Sequence, residues 1–205
     1  MSSSIINYCI IGIFASGKTS LAASFVKNKQ SVTNESTIGA SFIVNYTQIS
    51  GGRAIRLNIW DTAGQERYAA LLPMYSRNAD VIIFTIDPLN PDSVVYIKKM
   101  APVVMTEYVI AIHLVVTKMD TQYGDANARE MVNNVKAFLR DFLREGDNCT
   151  VYDYYTSAMS CYNVEQPFIT NCDEIVRRKV ERNSITLDVE SENVDLTNRS
   201  RCGYC

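Results

Sequence analysis

Apolar runs alternate along the chain with segments in which apolar residues recur every three or four positions. The runs near 5–13, 40–49, 54–60, 80–87, 109–117 and 150–156 predict strands, and the helical periodicity predicts helices near 18–27, 66–78, 91–104, 126–144 and 165–182. Strand following helix in this way predicts an α/β layer fold. Val81–Ile86 and Ile110–Val116 are apolar almost throughout, as strands are when helices cover both faces of a mainly parallel sheet. Ligands of such sheets bind at the carboxyl ends of the strands. The 40–49 run alternates polar and apolar residues and is joined to 54–60 by Ser50-Gly51-Gly52, a glycine turn suited to a hairpin. One antiparallel edge strand is therefore expected in a six-stranded, mostly parallel sheet.

Composition changes only after about Glu181, where the chain has few large apolar residues and no periodicity. The expected organisation is one globular domain over 1–182 and a flexible tail over 183–205. With 205 residues, 47% of them hydrophobic, one core suffices without disulfides. Twenty basic residues nearly balance 22 acidic ones and are scattered, so no basic stripe marks a nucleic-acid partner. No run reaches the length of a membrane span, and the apolar start lacks the charged lead of a signal peptide, which together predict a cytosolic protein. Cys9, Cys149, Cys161 and Cys172 have neither disulfide nor zinc spacing and read as reduced thiols. His113, the single histidine, lies inside an apolar run and reads as a strand residue with its polar groups satisfied, which leaves no histidine for catalysis.

The chemistry is concentrated in Gly12-Ile13-Phe14-Ala15-Ser16-Gly17-Lys18-Thr19, which fits G-x-x-x-x-G-K-[ST] between an apolar strand and a helix. Such a loop turns backbone N–H groups inward around phosphates, helped by the positive helix end, while the lysine adds charge and the threonine hydroxyl holds Mg²⁺. Trp60-Asp61-Thr62-Ala63-Gly64-Gln65-Glu66-Arg67-Tyr68 follows another strand, and with it the chain resembles the Ras superfamily of GTPases. Ser36-Thr37-Ile38-Gly39-Ala40-Ser41-Phe42, Arg56-Leu57-Asn58-Ile59-Trp60 and Pro73-Met74-Tyr75-Ser76-Arg77 resemble segments of the Rab family, closest to its endosomal subgroup. The likeness spans roughly residues 5–182.

That resemblance implies the P-loop small GTPase fold, bound GTP or GDP with Mg²⁺, and hydrolysis that switches the molecule between two states. It assigns nucleotide contacts to Phe14, Ala15, Ser16, Gly17, Lys18, Thr19, Ser20, Gly64, Lys118, Asp120, Ser157, Ala158 and Met159. Metal contacts fall to Thr19, Thr37 and Asp61, and catalysis to Gln65 as orienter of the attacking water, with Lys18 and Thr37. Switch loops of this kind are ordered only while the γ-phosphate is there to be gripped. Phe42, Trp60 and Tyr75 match the aromatic trio that Rab proteins present to effectors. An exchange factor, a GTPase-activating protein, prenylation machinery and a GDP-dissociation inhibitor are the further partners implied. Cys202-Gly203-Tyr204-Cys205 resembles the prenylated end of the family, although it is neither a double cysteine nor C-x-C. Cys202 and Cys205 are the expected lipid sites, and two lipids are preferred because the tail has no basic patch to assist one. The resemblance thus places the chain on the cytosolic face of endosomes or vesicles, with a cytosolic pool.

Several residues depart from the family pattern. Phe14 stands where relatives have a small residue, so hydrolysis is expected to be slow. Thr117-Lys118-Met119-Asp120 replaces Asn-Lys-x-Asp, Met159 follows Ser157-Ala158 where a lysine is usual, and Gln30 replaces a base-stacking phenylalanine. Asp120 keeps the guanine choice, because its carboxylate accepts two hydrogen bonds that adenine does not offer in that arrangement. A lost buried hydrogen bond and a lost aromatic contact cost about 1–3 kcal/mol each, and nucleotide release is therefore expected to be fast. An interaction module without hydrolysis is the alternative reading; an ATP-specific enzyme conflicts with Asp120.

Overall fold

The computed structural model describes residues 4–27, 39–121, 124–143 and 148–182. Six strands form one sheet: β1 (Ser4–Ile11), β2 (Ala40–Ile49), β3 (Arg53–Thr62), β4 (Val81–Ile86), β5 (Ala111–Val116) and β6 (Thr150–Tyr155). Their order is β2-β3-β1-β4-β5-β6, with β2 antiparallel to β3 and every other pair parallel. This is the predicted sheet, including its one antiparallel edge strand. In the turn between β2 and β3, Gly51 and Gly52 take φ of 81° and 74°, which a Cβ would penalise.

The helices are α1 (Lys18–Lys27), α2 (Leu72–Ser76), α3 (Asp92–Val104), α4 (Gly124–Phe142), α5 (Gln166–Ile169) and a last helix, α6, over 172–182. Successive side chains of β1 part to opposite faces, as the two-residue strand period requires. Ile6, Tyr8 and Ile10 join Leu21, Phe25, Phe168 and Ile175 in the core under α1, α5 and α6. Cys9 and Ile11 join Ile97, Met100, Val132 and Val135 in the core under α3 and α4. β4 and β5 are buried along their whole lengths between these two layers. Phe25 stacks on Phe168 at 4.3 Å between ring centroids, and the Tyr8 hydroxyl donates to the Phe168 carbonyl at 2.8 Å, pinning α5 to the central strand.

Predicted and observed elements differ by one or two residues at several ends, and two predicted helices are divided. The first strand ends at Ile11 instead of residue 13, because Gly12 and Ile13 turn into the loop that precedes α1. The expected helix over 66–78 divides into a 3₁₀ segment, Glu66–Leu71, and the short α2 with Pro73 in its first turn. The expected helix over 165–182 is interrupted at Thr170 and Asn171, where the Asn171 amide donates to the Tyr154 hydroxyl at 2.7 Å. Among the described residues no helix is long and apolar enough to cross a membrane.

At the far pole from the loop after β1, Asp80 is 2% exposed and accepts from the Asn7 N–H at 2.8 Å. Lys179 at 2.6 Å and Arg182 at 3.6 Å pair with the same carboxylate. The end of α6 is thus tied to the start of β4. Tracing the sheet order from the centre, β1 leads outward to β3 on one side and to β4 on the other, and the crevice at such a switch point opens where the strands end.

Candidate phosphate-loop and base-pocket site

The loop between β1 and α1 lies at that crevice. Gly12 has no room for a side chain: a Cβ there would meet the Thr85 hydroxyl at 2.1 Å. Gly17 has φ of 85°. Ala15 adopts a left-handed φ of 59°, a strain that a tightly wound functional loop tolerates when its surroundings hold it. Lys18 is buried, and its Nζ donates to the carbonyls of Gly12 at 3.0 Å and Ile13 at 2.7 Å. Burial pulls the ammonium down to about 8, against the opposing pull of Asp61. Gly64 closes on the same spot, since a Cβ there would lie 2.4 Å from Lys18 Nζ and 2.6 Å from the Ile13 carbonyl. The structure therefore brings Lys18, Gly64 and the phosphate-type loop together, with Ser20 on the first turn of α1.

Thr19 and Asp61 meet directly, the hydroxyl donating to Oδ2 at 2.6 Å. Asp61 Oδ1 is buried and has no hydrogen-bond partner. Burial raises the Asp61 carboxyl, countered by the Thr19 bond and Lys18. A hard divalent cation takes oxygen ligands of this sort, so the orphaned oxygen beside a hydroxyl fits Mg²⁺. Thr37, the third expected ligand, lies outside the described residues, as do Gln30, Cys202 and Cys205.

Beside the loop is a cavity of about 240 Å³ lined by Gly17, Ser20, Leu21, Thr117, Lys118, Asp120, Thr121, Thr156, Ala158 and Met159. Ser157 donates to Asp120 Oδ1 at 2.5 Å, steering the carboxylate. Lys118 adopts φ of 58° and pairs with Asp87 at 2.7 Å. Met159 is 72% exposed at the rim. Thr117 spends its hydroxyl on protein carbonyls, Ser16 at 2.8 Å and Ile86 at 3.2 Å. A hydroxyl carries one hydrogen, so this side chain ties two loops together and has no donor left over.

Gln65 precedes the 3₁₀ segment and is half-buried. With Glu66, Arg67 and Phe14 it lines an open cavity of about 510 Å³, into which the Phe14 ring, 52% exposed, stands from the loop. On the neighbouring surface Phe42, Trp60 and Tyr75 form one row: ring centroids lie 4.7 Å apart for the first pair and 5.2 Å for the second. Trp60 is only partly buried, resting one side on the core, and Phe42 is 46% exposed.

His113 sits away from this site. Its Nδ1 lies 2.8 Å from the Pro167 carbonyl, while Nε2 is buried with no partner, so the satisfied histidine expected from sequence is satisfied on one nitrogen only. Cys9 and Cys172 are buried, Cys149 half-buried and Cys161 exposed, and none of these four is in a disulfide. Sequence reasoning passed over Thr85 and Asp87, which touch the site's loops from β4. The signal for the first was its polarity inside VIIFTI.

The family model described as Ras family matches residues 7–177. The GTP-binding protein YPT53 of Saccharomyces cerevisiae is 32% identical over 207 aligned positions, covering 94% of this chain and 91% of that protein. The GTP-binding protein ypt5 of Schizosaccharomyces pombe is 47% identical over 78 residues, 38% of this chain and 37% of that protein's length.

Proposed function

The chain belongs to the Ras family, in its Rab branch, and from that premise we propose that it is a guanine-nucleotide switch that hydrolyses GTP to GDP and serves vesicle or endosomal traffic. The observation that carries this reading is the single cavity in which Gly17 of the phosphate-type loop and Asp120 of the base loop face each other. In this reading Asp120 accepts the guanine ring N–H and amino group, the Ala158 N–H meets the base carbonyl, and Lys118 covers the base. N–H groups of Ala15 through Ser20 surround the phosphates, and the Lys18 ammonium, desolvated in its burial, regains a charged partner there. Mg²⁺ supplies charge neutralisation at the phosphates, with Thr19, Thr37 and Asp61 holding it. Gln65 orients the water and Gly64 offers its N–H to the γ-phosphate, so that both ends of the switch respond to its presence. Phe42, Trp60 and Tyr75 are the surface by which partners read the state, since aromatic anchors dominate many interfaces. Residues 183–205 are a tail carrying lipid at Cys202 and Cys205, which brings the 1–182 domain to the cytosolic face of a membrane.

Hydrolysis in this switch is slow, supported by the position of Phe14 on the cavity that Gln65 also lines. The same observation favours a second reading, a non-hydrolysing or weakly nucleotide-binding interaction module that keeps the fold and the partner-facing aromatics. Extraction of the nucleotide carried by freshly purified protein, followed by chromatography, tests the proposal: GDP or GTP supports it. An empty pocket rejects the switch and supports the module, and ATP rejects the assigned role of Asp120.

A further inference from the structure

Three consecutive residues at the carboxyl end of β4 each hold a different part of the site. Thr85 and Ser16 are both fully buried, with their hydroxyl oxygens 2.7 Å apart. Ser16 Oγ donates to the Ile13 carbonyl at 2.8 Å, and with its one hydrogen placed there Thr85 donates to Ser16 in preference to the longer 3.4 Å bond from Thr85 to the Ile11 carbonyl. The chain of bonds runs from Thr85 through Ser16 to the Ile13 carbonyl, the same carbonyl that accepts from Lys18 Nζ at 2.7 Å. Next in β4, the Ile86 carbonyl accepts the Thr117 N–H at 2.9 Å. Asp87 Oδ2 pairs with Lys118, while its Oδ1 accepts the Leu89 N–H at 3.0 Å and its own N–H donates to Ser93 at 3.2 Å. The circuit closes where Thr117 donates to the Ser16 carbonyl at 2.8 Å.

We infer that Thr85 and Asp87 are positioning residues for the nucleotide, setting the phosphate loop and the base loop at a fixed separation from one strand end. Neither lines the base cavity. The inference rests on the proposed function, because it takes the two loops to grip opposite ends of one guanine nucleotide. Buried hydrogen bonds on rigid strands lower the ordering cost that a mobile loop incurs on binding. Breaking the frame at β4 therefore loosens nucleotide held by groups that β4 never touches.

Thr85→Val removes the donor and sets a methyl against the Ser16 hydroxyl, whereas Thr85→Ser keeps the donor; Asp87→Asn keeps the shape and removes the charge that holds Lys118. In the full-length chain, release of fluorescent GDP in Mg²⁺ is expected to be about tenfold faster for Thr85→Val and about threefold faster for Asp87→Asn. Thr85→Ser stays near wild type. Amide hydrogen exchange over residues 13–21 rises in Thr85→Val and is restored in Thr85→Ser. Wild-type release and exchange in Thr85→Val, or equal impairment in Thr85→Ser, overturns the inference. A wild-type protein that takes up no guanine nucleotide instead defeats the proposed function, and the exchange of residues 13–21 then still decides whether Thr85 holds the loop.

Discussion

The Thr19 hydroxyl donates to Asp61 Oδ2 across 2.6 Å, leaving the second oxygen of that carboxylate buried without a partner. Two elements far apart in sequence, the first turn of α1 and the end of β3, thereby present one oxygen pair beside Lys18. A buried carboxylate oxygen without a donor costs about 1–3 kcal/mol, and a cation at that point removes the cost. Asp61→Asn keeps the shape and removes the charge. It is expected to abolish most of the slowing of GDP release by millimolar Mg²⁺, read by comparing release with and without a chelator. An Mg²⁺ effect of wild-type size in the variant would place the metal elsewhere.

Phe14 is 52% exposed and lines the same cavity as Gln65. On the proposed function its ring crowds the space beside the γ-phosphate that Gln65 uses. Phe14→Ser is expected to speed single-turnover GTP hydrolysis on the order of 10- to 100-fold, the scale on which misplaced reacting groups act, with GDP release little changed. Equal hydrolysis rates in the two proteins would show that the ring is harmless.

Thr117 keeps the strut to Ser16 but has no second donor or acceptor group of the kind a side-chain amide carries. Thr117→Asn restores one, and GDP release is expected to slow by about tenfold, the worth of one buried hydrogen bond. Met159→Lys adds a smaller effect because the side chain is largely exposed. Stopped-flow release curves check both, and faster release in Thr117→Asn would contradict the assignment.

Asp80 carries the charge that balances Lys179 and Arg182. Asp80→Ala removes the buried acceptor of Lys179 and of the Asn7 N–H and is expected to cost about 3 kcal/mol in urea unfolding. Arg177→Ala, which breaks the exposed pair with Glu181, is expected to change stability by less than about 1 kcal/mol. Similar losses in the two variants would refute the contrast.

Burial lowers His113 from its ordinary value to about 4, opposed in part by its bond to Pro167. Between that value and about 6.5 the unfolded chain binds a proton that the folded chain does not. The contribution is complete above pH 6.5 and is lost as pH falls to about 4, amounting to roughly 3 kcal/mol at most. Unfolding of His113→Gln at pH 7 and pH 4.5 should therefore show a shallower acid loss than wild type. Identical losses would mean the imidazole stays neutral in neither state or in both.

The strand and helix periods gave the sheet and its layers because β4 and β5 are buried on both faces and read as apolar runs broken only by Thr85 and His113. The glycines of the phosphate-type loop were equally legible, since Gly12 and Gly17 are required by close approach and by φ. What stayed hidden depends on distance across the fold. Nothing adjacent in the chain ties Thr85 to Ser16 or Asp87 to Lys118; the parallel register of β1, β4 and β5 brings them together. The break after Ile169 was hidden for a similar reason, because the Asn171 bond to Tyr154 is a tertiary contact. The amphipathic pattern runs on across it.

The paired cations on Asp80 also give the domain a mechanical anchor. Lys179 and Arg182 bind the end of α6 to the residue just before β4, so the last helix and the strand whose far end frames the nucleotide loops share one buried carboxylate as their joint.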